Sequence, residues 1–573
     1  MIMKKNLRFH HYLLVLFNLG VLSFSTATAQ NHYDGLSAKV DSLFARWDKP
    51  NSPGASVAVI KSGQIIHSKG YGVANLEYDV AITPETIFHV ASVSKQFAAF
   101  GNVLLAQQGK LSLDDDVRKH LPETPDFGEK ITIRHLIHHT SGIRDQWNLL
   151  GLGGWRIDDV ITKEHIFKLL AKQRELNFSP GAEYVYCNTG YTMLGEIIAR
   201  TTGKPFRDWM DEQVFAPLGM TNTLFYDDHE RIVKNRAYSY SPAYPGVYRK
   251  SVLSYANAGA TSLFTTAEDL ARWLDNFRTT KIGGKEALEQ MLERGVLTNG
   301  DTTNYAFGLV VDNYRGLRRI SHGGGDAGYR TFVAYFPEHE LGVVTLSNFA
   351  SFNPGGLSMQ AANLYLSEHL DAPQPSASPT EAKPELEQTE LPVEKLKRLV
   401  GNYLLVELNT YRRIRLQDNQ LFYDREGQGS SPLTPLKDGR FLMLGVPNEF
   451  ILTELPSQTN EPKRLRWIID GQPSSHLQAY EPWEPSAQEI ADFAGRYYSP
   501  ELETAYTIVA DGGNFVAKHR RHEDISLKPR LKDHFSSHTW YFGSLRLERN
   551  SQNVVTGFRV SSGRVRNVLF EKQ

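Results

Sequence analysis

Cysteine is nearly absent: the chain of 573 residues has one, Cys187. A lone thiol excludes an intramolecular disulfide and any cysteine-rich zinc or iron–sulfur site. Charge of one sign is lacking too, with 63 lysines and arginines against 64 aspartates and glutamates. Without a basic field, nucleic-acid binding is excluded as the main task. No G-x-S-x-G occurs, which argues against an α/β-hydrolase. No H-E-x-x-H occurs, and Gly203-Lys204 is followed by Pro205, so there is no Walker A loop. His135, His138 and His139 cluster at a helix end with no carboxylate among them. They read as surface or packing residues rather than metal ligands.

Long apolar runs are also scarce. The run at residues 12–22 is too short for a comfortable membrane span. It follows the basic residues Lys4, Lys5 and Arg8 and precedes Ala27-Thr28-Ala29, the pattern of a secretory signal over residues 1–29. No cysteine lies near that cleavage site, so a lipid anchor is excluded. The expectation is an exported protein, periplasmic or secreted, with no stable membrane insertion after cleavage. Its mature form would carry 60 basic residues against 64 acidic ones.

Hydrophobic residues make up 41% of the chain and charged residues 22%, the texture of globular domains. The length calls for several cores. Residues 30–370 read as mixed α and β. Strands are expected at 55–60, 64–67, 307–312, 329–336 and 341–346, and helices at 97–107, 133–138, 163–170, 192–200 and 267–277. Strands open and close this segment, so one sheet built from both ends, with helices packed on it, is expected. Residues 371–390 hold four prolines and no aromatic residue, the composition of a linker. An internal repeat follows, in segments 391–482 and 483–573. Gly401-Asn402-Tyr403 matches Gly495-Arg496-Tyr497, Glu407-Leu408 matches Glu501-Leu502, and Leu436-Lys437-Asp438 matches Leu531-Lys532-Asp533. Each copy fits an all-β unit of about eight short strands, suited to a small barrel.

Three motifs carry chemistry. Ser92-Val93-Ser94-Lys95 stands where a helix starts, and a three-residue step puts Ser92 and Lys95 on one face. A serine hydroxyl needs a neighbouring base to become a nucleophile, and a lysine serves once its pKa falls towards neutrality. Ser94 is a competitor, but its two-residue step faces elsewhere. The second motif is Tyr186-Cys187-Asn188, in a loop before a helix, with Tyr184 as a decoy. A tyrosine beside a lysine relays protons, and an asparagine binds a substrate amide. The third is His322-Gly323-Gly324, whose glycines before a strand suggest an edge that a substrate backbone approaches. Gly323, Gly325 and Gly328 also fit G-x-G-x-x-G, but a strand follows rather than a helix, which excludes a dinucleotide site.

These motifs, in this order, resemble those of the serine β-lactamase and penicillin-binding protein superfamily, above all its class C-like branch of D-aminopeptidases and esterases. The stretches ITIRHLIHHTSG (131–142), FSPGAEYVYCNTGY (178–191) and GATSLFTTAEDLARW (259–273) carry the likeness further. It covers about residues 35–370, and the repeat resembles the paired lipocalin-like barrels of D-aminopeptidases. The resemblance implies an α/β (α+β) β-lactamase-like catalytic domain followed by two all-β barrels. By position, Ser92 resembles the acylated nucleophile, Lys95 its proton acceptor and Tyr186 the general base or shuttle. Asn188, His322 and Gly324 fall at substrate-binding positions, and the backbone N–H groups of Ser92 and Gly325 at the oxyanion hole. His322 replaces a lysine common in the superfamily. A histidine is mostly neutral at pH 7, which argues against free-carboxylate recognition and against efficient β-lactam hydrolysis. Cys187 takes no catalytic role.

The expected function is hydrolysis of peptide, D-amino-acid amide or ester substrates through a Ser92 acyl-enzyme. No cofactor and no metal are implied. The alternatives are a catalytically silent binding or sensor protein on the same fold, or a penicillin-binding DD-peptidase or β-lactamase. The barrels, joined directly after the catalytic domain, are expected to cover the mouth of the site.

Overall fold

The computed structural model describes residues 33–371 and 386–573, apart from short stretches at 407–409, 426–428, 447–448, 457–460, 470–471 and 512–513. The signal pattern expected at 1–29, most of the linker and the Glu407-Leu408 match lie outside the described residues.

The N-terminal strands β1 (Ala55–Lys61) and β2 (Gln64–Tyr71) form a hairpin. Its two-residue turn, Ser62-Gly63, has positive φ at both positions (48° and 82°), which matches the twist of the strands it joins. Helices follow: α1 (Lys95–Gln107), α2 (Gln146–Leu152), α3 (Asn188–Thr202) and α4 (Ala267–Thr279). The chain then returns through β3 (Val310–Tyr314), β4 (Leu317–Asp326), β5 (Tyr329–Phe336), β6 (Leu341–Ser347) and α5 (Pro354–Leu366). All six strands make one antiparallel sheet in the order β3-β4-β5-β6-β1-β2. Its first and last segments meet where Val59 faces Val343 and Ala55 faces Ser347.

Alternation along β1 explains its unbroken apolar run. Ala58 and Ile60 point to the core shared with α1, α3 and α4, while Val57 and Val59 point to a second core with Val40, Phe44 and α5. A strand covered on both faces has no polar side. The expected strand at 307–312 is corrected: Phe307 lies in the core before a tight turn, Gly308 has φ +72°, and the strand begins at Val310. A β-carbon on Gly308 would lie 2.6 Å from the backbone nitrogen of Gln96, so this turn abuts the start of α1. Its apolar residues are there for packing against that helix.

The repeat forms two closed eight-stranded barrels, from Gly401–Leu405 to Gln472–Tyr480 and from Gly495–Ser499 to Val565–Lys572. In each, the first strand pairs with the last, as Asn402 with Tyr480 and Tyr497 with Lys572. The repeated tyrosines do the same work. Tyr403 and Tyr497 each donate at 2.7 Å to the carbonyl four residues back, Leu399 and Phe493, at the end of a short helical segment leading into the barrel.

The second barrel is fastened to the catalytic domain. Leu149 and Leu152 of α2 enter its hydrophobic core beside Tyr506, Phe542 and Phe570. Around this plug, Arg144 is buried: its Nη1 donates to both carboxylate oxygens of Glu501 (2.7 and 2.8 Å), and its Nε to the carbonyl of Arg566 at 3.0 Å. A β-carbon on Gly151 would stand 2.6 Å from that of Tyr541, so glycine is what allows this approach.

Candidate active site

Ser92 lies in a 3₁₀ turn, Ala91–Ser94, that feeds directly into α1. Side chains three apart nearly eclipse in 3₁₀ geometry. Lys95 Nζ accordingly stands 3.2 Å from Ser92 Oγ. Ala91, at φ +49°, turns the chain sharply into this segment, the kind of local strain that rigid surroundings sustain at functional positions. Ser94 points the other way, buried, donating to Ala91 O at 2.5 Å and accepting from Leu263 N at 3.1 Å. Of the two serines, only Ser92 is partly exposed.

Lys95 is fully buried. Its ammonium donates to Asn188 Oδ1 (2.8 Å) and Ala260 O (2.7 Å) and stands 4.9 Å from the ring centre of Tyr186. Burial lowers its pKa to about 7; Asp145 opposes that effect and the Arg564 cation adds to it. Lys95 is therefore poised to accept a proton near neutrality. Burial raises the pKa of the Tyr186 hydroxyl, and the Ser92 side chain opposes that rise only in part. It is a protonated phenol at neutral pH, suited to passing protons on. Tyr184, the decoy, is 39% exposed at the rim.

Asn188 opens α3. Its backbone N–H and Nδ2 both donate to Asp145 Oδ2 (2.6 and 2.8 Å) while its Oδ1 accepts from Lys95 Nζ. Most of its side-chain amide is thus spent orienting Lys95, where the motif suggested a substrate contact. Cys187, the N-cap of α3, is buried and donates to Ile143 O.

The third motif lies on β4. Val310 of β3 pairs only as far as Ser321, so among the described residues no strand lies beside that edge of β4 from His322 onward. That edge faces the Ser92 turn. Gly324 sits beneath it: a β-carbon there would be 2.3 Å from Val90 O and 2.4 Å from Thr331 Oγ1. Gly324 allows strand and turn to approach, whereas the cleft is lined by its neighbours Gly323 and Gly325. His322 is buried rather than at the surface. Its Nδ1 meets the carbonyl of Gly323 at 2.6 Å, so that nitrogen carries the proton, and Nε2 accepts from the Tyr305 hydroxyl at 3.1 Å. Burial and the nearby Lys95 cation lower its pKa to about 4. His322 is a neutral wall with both nitrogens committed. His138 and His139 are also buried, against the surface reading, because their rings pack on Phe307 and on Tyr186 and Tyr305.

The cleft measures about 410 Å³, with Ser92, Tyr186, Asn188, His322 and Gly325 in its lining. Asp326 lines it as well. Burial opposes the charge of this carboxyl, but His89 (3.2 Å) and Thr261 (2.6 Å) hydrogen-bond it and hold its pKa below the ordinary value. Two further lining residues, Trp540 and Arg564, come from the second barrel. Sequence reasoning missed both, along with Asp145. An aspartate before the apolar run of α2, whose side chain accepts from Trp147 N at 3.0 Å, could have been found as an N-cap. Nothing local marks Arg564. Among the described residues no cluster of His, Cys, Asp or Glu suits a metal ion, and no helix is long and apolar enough to cross a membrane.

A serine and a buried lysine at one helix start, a tyrosine above them and a free strand edge alongside define a serine-hydrolase type of site on an antiparallel sheet. The chain belongs to the beta-lactamase family, whose sequence profile matches residues 40–365. It is 27% identical over 431 residues to penicillin-binding protein 4* of Bacillus subtilis, covering 72% of this chain and 94% of that one. It is 24% identical over 546 residues to a D-aminopeptidase of Brucella canis, covering 91% and 96% of the two chains. Among solved structures it is similar to the octameric penicillin-binding protein homologue from Pyrococcus abyssi, with 25% identity, a TM-score of 0.52, and coverage of 78% of this chain and 99% of that one. The protein is a hydrolase of the serine β-lactamase-related type.

Proposed function

We propose that this protein is an exported hydrolase that cleaves amide or ester bonds through an acyl-enzyme on Ser92. The observation that carries the reading is the lysine: Nζ stands 3.2 Å from Ser92 Oγ, with a pKa lowered to about 7. In the proposed cycle the Ser92 proton passes to neutral Lys95 as Oγ attacks the substrate carbonyl. The oxyanion forms towards the N–H groups of Ser92 and Gly325, each such donor contributing on the order of 3 kcal/mol. The proton then returns through Lys95 and Tyr186 to the leaving nitrogen or oxygen, and the carbonyl–leaving-group bond breaks. Water, deprotonated by the same pair, attacks the acyl group and frees Ser92. The names of the relatives, D-aminopeptidases and penicillin-binding proteins, favour D-amino-acid amides and short peptides as first substrates to try.

Export is proposed from the basic, apolar and small-residue pattern of residues 1–29, and N-terminal sequencing of the mature protein tests it. For the chemistry, a fluorophosphonate probe should label the wild type at Ser92 and fail to label Ser92→Ala. Loss of hydrolysis in Ser92→Ala by about 10⁴-fold or more is expected. Equal hydrolysis by both proteins sinks the reading.

A further inference from the structure

We propose that Arg564, delivered by the second barrel, is the specificity-determining cation of the cleft, and that the preferred substrate carries a carboxylate on the leaving-group side of the scissile bond. The proposal deepens the hydrolase reading above and rests on it.

The catalytic domain places no free cation among the described residues that line the cleft. His322 is neutral and both its ring nitrogens are spent, on Gly323 O and on Tyr305. Lys95 is buried and committed to Ser92, Asn188 and Ala260. Neither offers a free positive charge to a substrate. Arg564 does. Its guanidinium carbon lies 4.7 Å from the ring centre of Tyr186, and its side chain, 44% exposed, lines the cleft that holds Ser92.

Its position is built. Arg564 follows Gly563 in the turn between the last two strands of the barrel, and the catalytic domain grips that turn by its backbone. Asn177 Nδ2 donates to Arg564 O at 2.9 Å, and Asn148 Nδ2 to Ser562 O at 3.2 Å. Arg566 N in turn donates to Asn177 Oδ1 at 2.8 Å. The side chain is held less tightly. Its contact with Asp145 Oδ2 is 4.0 Å, and that oxygen already accepts two bonds from Asn188. Most of the planar fork of donors thus remains available for a carboxylate, the anion it fits in a bidentate manner.

The side of the bond follows from Tyr186. A group that returns a proton to the leaving atom must stand beside that atom, and Arg564 lies over the same ring. Trp540 and Ile157, about half exposed at the same mouth, supply apolar walls for the group that bears the carboxylate. Asp326 across the cleft is anionic but bound by His89 and Thr261, so it adds selection against a carboxylate placed on that side.

The test uses the full-length enzyme and a matched pair of esters: N-acetyl-D-alanyl glycolate, with a free carboxylate on the leaving group, and its carboxamide. The wild type should prefer the carboxylate. With both esters assayed on the high-pH plateau of kcat/KM, Arg564→Ala should lower the value for the carboxylate ester by about 10²-fold, mainly through KM, and that for the carboxamide far less. Arg564→Lys should recover part of the loss and Arg564→Gln none, with melting temperatures showing that all three variants fold and dock. If Arg564→Ala lowers both esters alike, or the wild type does not distinguish them, the carboxylate proposal is overturned and the hydrolase reading stands. If the wild type hydrolyses neither ester faster than Ser92→Ala, both readings fall.

Discussion

The two C-terminal barrels share strand number, closure and even the tyrosine that ties the first strand to the segment before it, yet they do different work. The first is bound to the chain that enters it, through Thr389 N to Pro435 O and Lys437 N to Glu387 O. The second accepts Leu149 and Leu152 of the catalytic domain into its core and puts Trp540 and Arg564 at the active-site cleft. In the sequence, the residues just ahead of the last strand are Asp470-Gly471 in one copy and Gly563-Arg564 in the other. The comparison teaches that a repeat conserves what closes a barrel, namely strand pairing and interior packing. Its turns are free to diverge, because they are solvated and no ladder depends on them. A short polar turn is enough to convert a barrel into part of an active site.

The sharpest way to break this contrast is at the buried ion pair. Arg144→Ala leaves Glu501 buried without its partner and should cost about 3–5 kcal/mol. The same truncation at Arg415, whose pair with Asp424 in the first barrel is partly exposed, should cost about 1 kcal/mol or less. Urea denaturation of the two variants checks the difference, and equal losses would mean that the second barrel is not anchored through Arg144. Next in size is the plug. Leu152→Ala removes a fully buried side chain shared by two domains and should cost about 3 kcal/mol in the same assay. It should also depress hydrolysis, since the turn that carries Arg564 depends on that docking.

A smaller effect is expected at the mouth. Trp540→Ala removes a half-exposed apolar wall and should raise KM by roughly fivefold, about 1 kcal/mol, with kcat held. Titration gives the finest test. Lys95 acts as a free base with a pKa of about 7, so kcat/KM should rise with pH through about 7 and level off above it. The Arg564 cation helps to hold that pKa down, so in Arg564→Ala, assayed on an uncharged substrate, the rising limb should move to higher pH. Arg413→Ala, in the first barrel, should leave the limb in place. A limb that stays put in Arg564→Ala would mean that the guanidinium does not act on Lys95.

Much of the site was legible in the chain itself. Ser92 and Lys95 are three residues apart, and a helical turn brings such residues together wherever it forms. Tyr186 precedes, and Asn188 opens, a helix whose periodicity is plain, and the hairpin at Ser62-Gly63 announces itself by turn chemistry. Local geometry also separates Ser92 from Ser94. The strand expected at 307–312 misled because core packing and strand formation favour the same residues. For His139 the sequence left surface and packing roles open, and its ring packs on Tyr186 and Tyr305, contacts that have no local mark in the sequence.

What the sequence determined by itself was everything carried by short spacing and by pattern: the family's motifs, the two-sided central strands and the barrel repeat. What only the tertiary structure decided was which groups were spent and which were free. His322 lost its hydrogen-bonding capacity to Gly323 and Tyr305, and Asn188 was absorbed in holding Lys95. The cation that the motif lacks arrived from a turn more than two hundred residues further along the chain. Contacts within a turn of helix follow from bond geometry and so can be read in one dimension. The meeting of Arg564 with Tyr186 depends on a barrel closing, on two leucines filling its core and on a buried ion pair, and none of these leaves a local trace.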